Sequence, residues 1–322
     1  MSRADRGDDV WAQFIESYYG EMITDLNKGD TKSLLSYLTA LPRKGAGHGY
    51  LQGEAAFRAL QHNPESQAER AMWLMDHLIA LAEAVGVVHT RCPEQGDWSN
   101  PPIESLDDIC QKIEEVLGRP IRIPEVFDGF FSLLTREGAV HIRSIMSTYA
   151  IIQLHKITRL IDEPAPEDLN IAEIGAGIGF TAYAWNRPGT GSYTIYDLPE
   201  VNVAQGFFLL KTLGPKNVSL FGEPQNGLVR ILPSSHYGSG DENFDITINV
   251  DSLPEISSEI ADRYLAEISR NSRYFFSINQ EAPREGRRSV LEAASGHARL
   301  KPMQRHLNWI RASYVEELFR CS

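Results

Sequence analysis

The sequence predicts an α/β fold: a mostly parallel sheet flanked by helices, preceded by a helical N-terminal region. Three observations predict it. Short apolar runs at 170–174, 192–196, 218–221, 245–249 and 274–278 look like strands, and helical patterns near 179–186, 201–213, 256–269 and 287–294 separate them. Strands alternating with helices imply crossover units, which join parallel strands. Residues before about 160 step instead by three and four between apolar positions, the period of a helix. Finally, the run at 170–174 opens into a turn with glycine at every second position.

In chain order, Trp11, Phe14, Ile15, Tyr18, Tyr19, Met22, Ile23 and Leu26 fall on one face of a first helix. Asn27, Gly29 and Asp30 end it, and Thr31 opens the next, which carries Leu34, Leu35, Leu38 and Leu41. Residues 42–49 are glycine-rich and read as a loop. A long helix over 66–88 turns Met72, Met75, Leu78, Ile79, Ala82 and Val85 inward, and 91–102, with three prolines, reads as irregular. Helices follow at 107–117 and 142–160. The character changes over 164–168, and two further strand-like runs, 307–310 and 314–319, end the chain. The division expected is a helical domain over 1–150 and a sheet domain over 151–322. An apolar stripe like that on the first helix must be covered, by the rest of the chain or by a second copy, so a homo-oligomer through the N-terminal helices is one expectation.

Composition narrows the class. A chain of 322 residues buries a sizeable core without staples. Its net charge of -12 weighs against a nucleic-acid partner, which needs clustered cations. The basic cluster Arg284, Arg287 and Arg288 is short and reads as a solvated loop. Cys92, Cys110 and Cys321 are scattered, with neither disulfide pairing nor metal-ligand spacing, as in a reducing cytoplasm. The N-terminus is polar and no apolar run is long enough for a bilayer, so a cytoplasmic protein with no membrane partner is expected.

The chemistry concentrates in Glu173-Ile174-Gly175-Ala176-Gly177-Ile178-Gly179. A strand ends in an acid, turns on glycines that let a ligand approach the backbone, and enters a helix with free N–H groups. A dinucleotide fingerprint needs its third glycine where Phe180 stands, which disfavours a nicotinamide dehydrogenase. Glu173 would sit badly beside a pyrophosphate and well beside a cation. The next strand ends in Asp197, about twenty residues on, where an acid hydrogen-bonds ribose hydroxyls in open parallel sheets. Capping of the helix at Pro199 is the alternative role for Asp197.

Glu173–Gly179 followed by Ile195-Tyr196-Asp197-Leu198-Pro199-Glu200-Val201 resembles class I S-adenosylmethionine-dependent methyltransferases. More narrowly, Tyr196–Asn202 with Gln205, Asp245–Asn249, Glu255 and Tyr274–Asn279 are similar to the sugar O-methyltransferase family. The resemblance covers Asn170–Asn279, and Gly138–Tyr149 with Arg143 matches a segment preceding that core. Where the family has Asn-Thr-Arg-Ser, this chain has Asn249-Val250-Asp251-Ser252. The resemblance implies a Rossmann-like sheet with an antiparallel last strand and a lid built from the N-terminal helices. It implies S-adenosylmethionine as donor, with S-adenosylhomocysteine as product. Glu173, Gly175, Ala176, Gly177, Gly179, Asp197, Leu198 and Asn249 would face the donor. The acceptor would be a small molecule, a sugar or natural-product hydroxyl.

A hydroxyl acceptor needs alignment and a proton acceptor. Asp251 is the preferred base, with Glu255, Glu281 and His141 as rivals, and His141 and Arg143 are expected to reach over from the lid. Tyr183 and Trp185 read either as neighbours of the cationic donor or as core, and His306 beside Trp309 and His48 are weaker pocket candidates. Asp251 and Glu281 could share a divalent ion at two strand ends, but the pattern fixes no ligand geometry and no metal is predicted. Methylation at carbon or nitrogen of a biosynthetic intermediate is an alternative reading, with Glu281 and aromatic walls serving a carbon nucleophile. A methyltransferase-like binding protein without turnover is another.

Overall fold

The computed structural model describes residues 10–89, 105–161, 165, 167–187, 189–281 and 287–322. The stretch over 91–102, Cys92, Arg284 and the side chain of Trp11 lie outside the described residues. Helices α1 (Val10–Tyr18), α2 (Gly20–Lys28), α3 (Thr31–Thr39), α4 (Glu54–Gln61), α5 (Pro64–Ala84) and α6 (Leu106–Leu117) lead to a hairpin of β1 (Leu133–Thr135) and β2 (Gly138–Val140). The long helix α7 (Ile142–Leu160) follows. The remainder alternates β3 (Asn170–Ile174), α8 (Phe180–Trp185), β4 (Ser192–Asp197), α9 (Pro199–Leu213), β5 (Val218–Ser219), β6 (Val229–Pro233), β7 (Phe244–Val250), α10 (Ser258–Asn271), β8 (Ser272–Gln280), α11 (Val290–Ala294), β9 (Leu300–Leu307) and β10 (Tyr314–Cys321).

Eight strands form one sheet in the order β5-β6-β4-β3-β7-β8-β10-β9. Every neighbouring pair is parallel except those of β10, which runs antiparallel to both β8 and β9. This is the expected α/β architecture with its last strand reversed. Strand β6 was not expected. Its run Val229-Arg230-Ile231-Leu232-Pro233 is short, and Arg230 interrupts it to pair with Glu242. The expected strand at 307–310 lies one element too late: β9 ends at Leu307, and Asn308 accepts from the amides of Ile310 and Arg311 to make a turn.

The first helix is two helices. The chain breaks at Tyr19, whose buried ring turns inward beside Gly20 and whose hydroxyl bonds that of Tyr50. Ile15, Tyr19 and Met22 are buried, while Tyr18 and Leu26 face outward. On α5 the inward face is Leu74, Leu78, Leu81 and Ala82, and Met72 is exposed, a rotation of the expected stripe.

Successive residues of a strand point to opposite faces, and two cores follow from that alternation. One takes Ile171, Tyr193, Ile195 and Ile246 and packs them against α7, α8 and α9. The other takes Ala172, Ile174, Tyr196 and Phe275 and packs them against α10 and α11. The first core also includes Ile15, Tyr19 and Leu38, so it crosses the expected division at 150/151, which falls inside α7. Helix α7 is buried on most of its circumference. It is tied to β10 by the Tyr149 hydroxyl, which donates to the buried Glu316 carboxylate at 2.6 Å.

Tyr149→Phe removes the donor to that carboxylate and should destabilise the protein by about 1–3 kcal/mol. Urea unfolding of both proteins measures it. An unchanged midpoint would mean that water satisfies Glu316 without the tyrosine.

Candidate active site

Parallel strands bring the carboxyl ends of β3, β4, β6 and β7 to one edge of the sheet, where the loops part and leave a crevice. A cavity of about 260 Å³ lies there. Its floor is the loop after β3. Gly175 and Gly177 have φ of 71° and 59°, left-handed values that favour glycine. A Cβ on Gly177 would meet Tyr50 at 3.3 Å. Gly179 serves packing instead, because a Cβ there would meet Leu209 at 3.0 Å, and it does not line the cavity.

Two buried carboxyls stand in the wall. Asp197 accepts from the Gly177 amide at 3.1 Å, the Leu198 amide at 2.8 Å and the Gln205 side chain at 2.8 Å. Those bonds fix its orientation toward the glycine loop, and the N-cap of α9 is Leu198 rather than Asp197. Burial pushes Asp197 up to about 7, against the pull of these donors. Glu173 accepts from the Tyr193 hydroxyl at 2.8 Å, and burial likewise raises it to about 7. Among the described residues neither carboxyl forms an ion pair, although both line the cavity.

The roof comes from the N-terminal half. Arg143, Met146, Ser147 and Ala150, one stripe of α7 at helical spacing, face the cavity beside Gly49, Tyr50 and Ile15. The Arg143 guanidinium bonds the Gly49 carbonyl and lies 3.5 Å from Asp251. Asp251 itself has φ of 66°, an uncommon conformation for a residue other than glycine. Its Oδ2 accepts from Arg311 Nη1 at 2.7 Å, while its Oδ1 is buried without a partner. The Arg311 guanidinium stacks over Tyr314 at 3.4 Å from the ring centre.

Of the expected site residues, Glu173, Gly175, Ala176, Gly177, Asp197, Leu198, Asp251, Glu255 and Arg143 share this cavity. Four do not line it: Gly179, Asn249, His141 and Glu281. Asn249 is fully buried, bonding the Ile174 carbonyl and accepting from Asn279 at 2.9 Å and from the Leu253 amide, and so clamps the strands beneath the loop. His141 is the N-cap of α7, its Nδ1 accepting from the Ser144 amide between the rings of Phe130 and Phe180. Burial holds it down at about 3, so it is neutral and a poor base. Glu281 pairs with Arg305 outside the cavity. It faces a different arginine from Asp251, and the described residues hold no cluster of three or more metal-ligating side chains. Trp185 is core, its indole donating to Gly191, and Tyr183 is buried under Arg187. His306 and His48 are exposed away from the cavity.

Tyr50, Met146, Ser147, Arg311 and Tyr314 line the cavity and were not anticipated. The α7 residues form the stripe Arg-x-x-Met-Ser-x-x-Ala at helical spacing, and since α7 carries other polar residues as well, such as Ser144, Thr148 and Gln153, nothing in the sequence set this stripe apart.

No family model matches the chain, and no curated protein matches it. Several hundred solved structures align with it. The magnesium protoporphyrin IX methyltransferase ChlM of Synechocystis PCC 6803, with bound SAM, shares 13% identity over 57% of this chain and 86% of its own, with a TM-score of 0.40. The CcbJ methyltransferase of Streptomyces caelestis shares 10% over 55% and 89%, also at 0.40. The [4+2]-cyclase SpnF shares 13% over 51% and 80%, at 0.37. Likeness at this level carries no argument about activity, which rests on the site itself.

A carboxyl raised in the folded state holds its proton where the unfolded chain has released it. Glu173 therefore makes the ligand-free protein more stable as pH falls from about 7 toward 4.5, by roughly 3 kcal/mol, and less stable as pH rises through that window. Glu173→Gln should flatten this part of the profile. Urea unfolding at pH 5 and pH 8 reads it, and identical slopes in both proteins would refute the assignment.

Proposed function

We propose that this chain binds S-adenosylmethionine in the cavity and transfers its methyl group to a hydroxyl of a small molecule. One observation carries the reading: two buried carboxyls, Glu173 and Asp197, flank a glycine loop in one cavity, and among the described residues neither pairs with a cation. Buried charges are costly until they are paired or hydrogen-bonded. A ligand that is cationic at one end and presents a diol fits both needs.

The remaining residues agree with that ligand. The positive-φ turn at Gly175 and Gly177 lets it lie against the backbone. Leu198, Val201, Ile256, Ile260 and Tyr264 give the same cavity apolar surface that suits a flat base, and the Ser234 hydroxyl, buried in its lining without a partner, can bond the base's edge. When bound, the donor supplies a methyl carbon already activated by a sulfonium.

The chain's own residues then hold the acceptor and take its proton. The α7 stripe and Tyr50 close over the cavity and exclude water. Asp251 Oδ1, buried and unpartnered, accepts the acceptor hydroxyl's hydrogen bond and takes its proton as the oxygen–carbon bond forms. Arg143 and Arg311 fix the other oxygen of that carboxylate. Glu255 also lines the cavity and is the other acid near enough to favour the charge of Arg143.

Calorimetric titration with S-adenosylmethionine and, separately, NADH tests the donor. Binding of the first alone is expected, and Asp197→Ala should weaken it by about 1–3 kcal/mol. Unchanged affinity in that variant would remove Asp197 from the donor site. Asp251→Asn should keep donor affinity and lower turnover by about 10²–10⁴-fold, the usual contribution of a general base. Full turnover in that variant, followed by product formation from labelled donor, would pass the role to Glu255.

A further inference from the structure

We propose that the acceptor carries an anionic group, a carboxylate or a phosphate ester, held by Arg143 and Arg311. The proposal rests on the methyltransferase reading and names the substrate class of the same cavity. Besides the Gly49 carbonyl on Arg143, one oxygen, Asp251 Oδ2, meets both guanidiniums, at 2.7 Å from Arg311 and 3.5 Å from Arg143. One carboxylate oxygen cannot satisfy two planar forks of five donors each. Arg143 Nε is left buried with no partner.

The local charge points the same way. Arg70 lies close enough for its charge to oppose that of Arg143, and Glu255 close enough to favour it. His77, which feels Arg70 and Arg311, is held below its usual range by burial and is neutral. Three guanidiniums, those of Arg70, Arg143 and Arg311, therefore lie in one region, with Asp251, Glu255 and Asp76 as the acids near them. Arg143, Arg311 and Tyr314 line the cavity itself. Guanidiniums in a partly dry pocket bind planar anions in paired hydrogen bonds. Arg311 stacked on Tyr314 and the apolar faces of Met146, Ile15 and Val250 leave room for a flat, hydrophobic body attached to that anion.

The test uses the full chain and three probes of one shape: benzoate, phenyl phosphate and neutral benzamide. Calorimetry is run on the free protein and on protein saturated with S-adenosylhomocysteine. Binding of benzoate or phenyl phosphate is expected, with the stronger of the two naming the anion. Benzamide should bind at least tenfold more weakly. Arg311→Gln should lose roughly tenfold or more of the anion affinity, as removal of a charge-assisted pair does. Arg311→Lys should keep part of it, and Arg143→Gln provides a second variant should the first not fold, as melting curves reveal. Binding of all three probes alike, of none, or of the anions equally to wild type and to folded Arg→Gln variants overturns the proposal. Failure of S-adenosylhomocysteine to bind, with anion binding intact on the free protein, would instead count against the methyltransferase reading alone.

Discussion

The burial of α7 is the constraint on which the site depends. This helix packs its apolar faces against the N-terminal helices, α8 and the sheet at once, and one core runs continuously from Ile15 to Leu318. A helix buried on most of its circumference cannot rotate without exposing apolar surface, at roughly 25 cal/mol for each Å². The stripe from Arg143 to Ala150 is therefore fixed over the carboxyl ends of the strands. The His141 cap and the bond from Tyr149 to Glu316 hold the same helix at its start and middle. The cavity is what remains between a fixed roof and a floor of glycines.

Enclosure sets the electrostatics. Glu173 and Asp197 are raised toward neutrality because water has been removed from them, and their hydrogen-bond donors only partly offset that loss. The protein could have neutralised them with its own cations, and it does so for Asp251 with two arginines. Among the described residues it does not do so at the glycine loop, and hydrogen bonds are what the two acids have instead. A bound cation bearing hydroxyls would offset part of that desolvation. Acids without an ion pair at the glycine loop and an acid held by two arginines at Asp251 thus share one cavity.

Much of this was legible in the sequence where chemistry and local geometry coincide. The acid, the alternating glycines and Asp197 sit in one continuous strand–turn–helix segment and the strand after it, so their spacing alone placed them on one edge. Helix α7 was read with both ends correct from its apolar period. What failed depended on distance along the chain. His141 looked like a lid residue, but a capping histidine and a catalytic one have the same local signature, and only the packing of Phe130 and Phe180 decides between them. Asn249 stood at the right strand end yet turned inward, because Ile174 and Asn279 on neighbouring strands needed partners. Arg311 and Tyr314 lie at the start of the last strand, and only insertion of β10 beside β8 brings them to Asp251.

Asp251 shows how these constraints meet. Two guanidiniums stand against one of its oxygens, whereas the other is buried without a partner. An acceptor bearing its own anion would draw on the same arginines. Each contact that Arg143 or Arg311 gave to such an acceptor would be one withdrawn from Asp251. Binding of the acceptor and release of the carboxylate would then be a single rearrangement of donors. The empty cavity holds Asp251 between Arg143 and Arg311, and a ligand that competes for those guanidiniums would free it to face the acceptor hydroxyl.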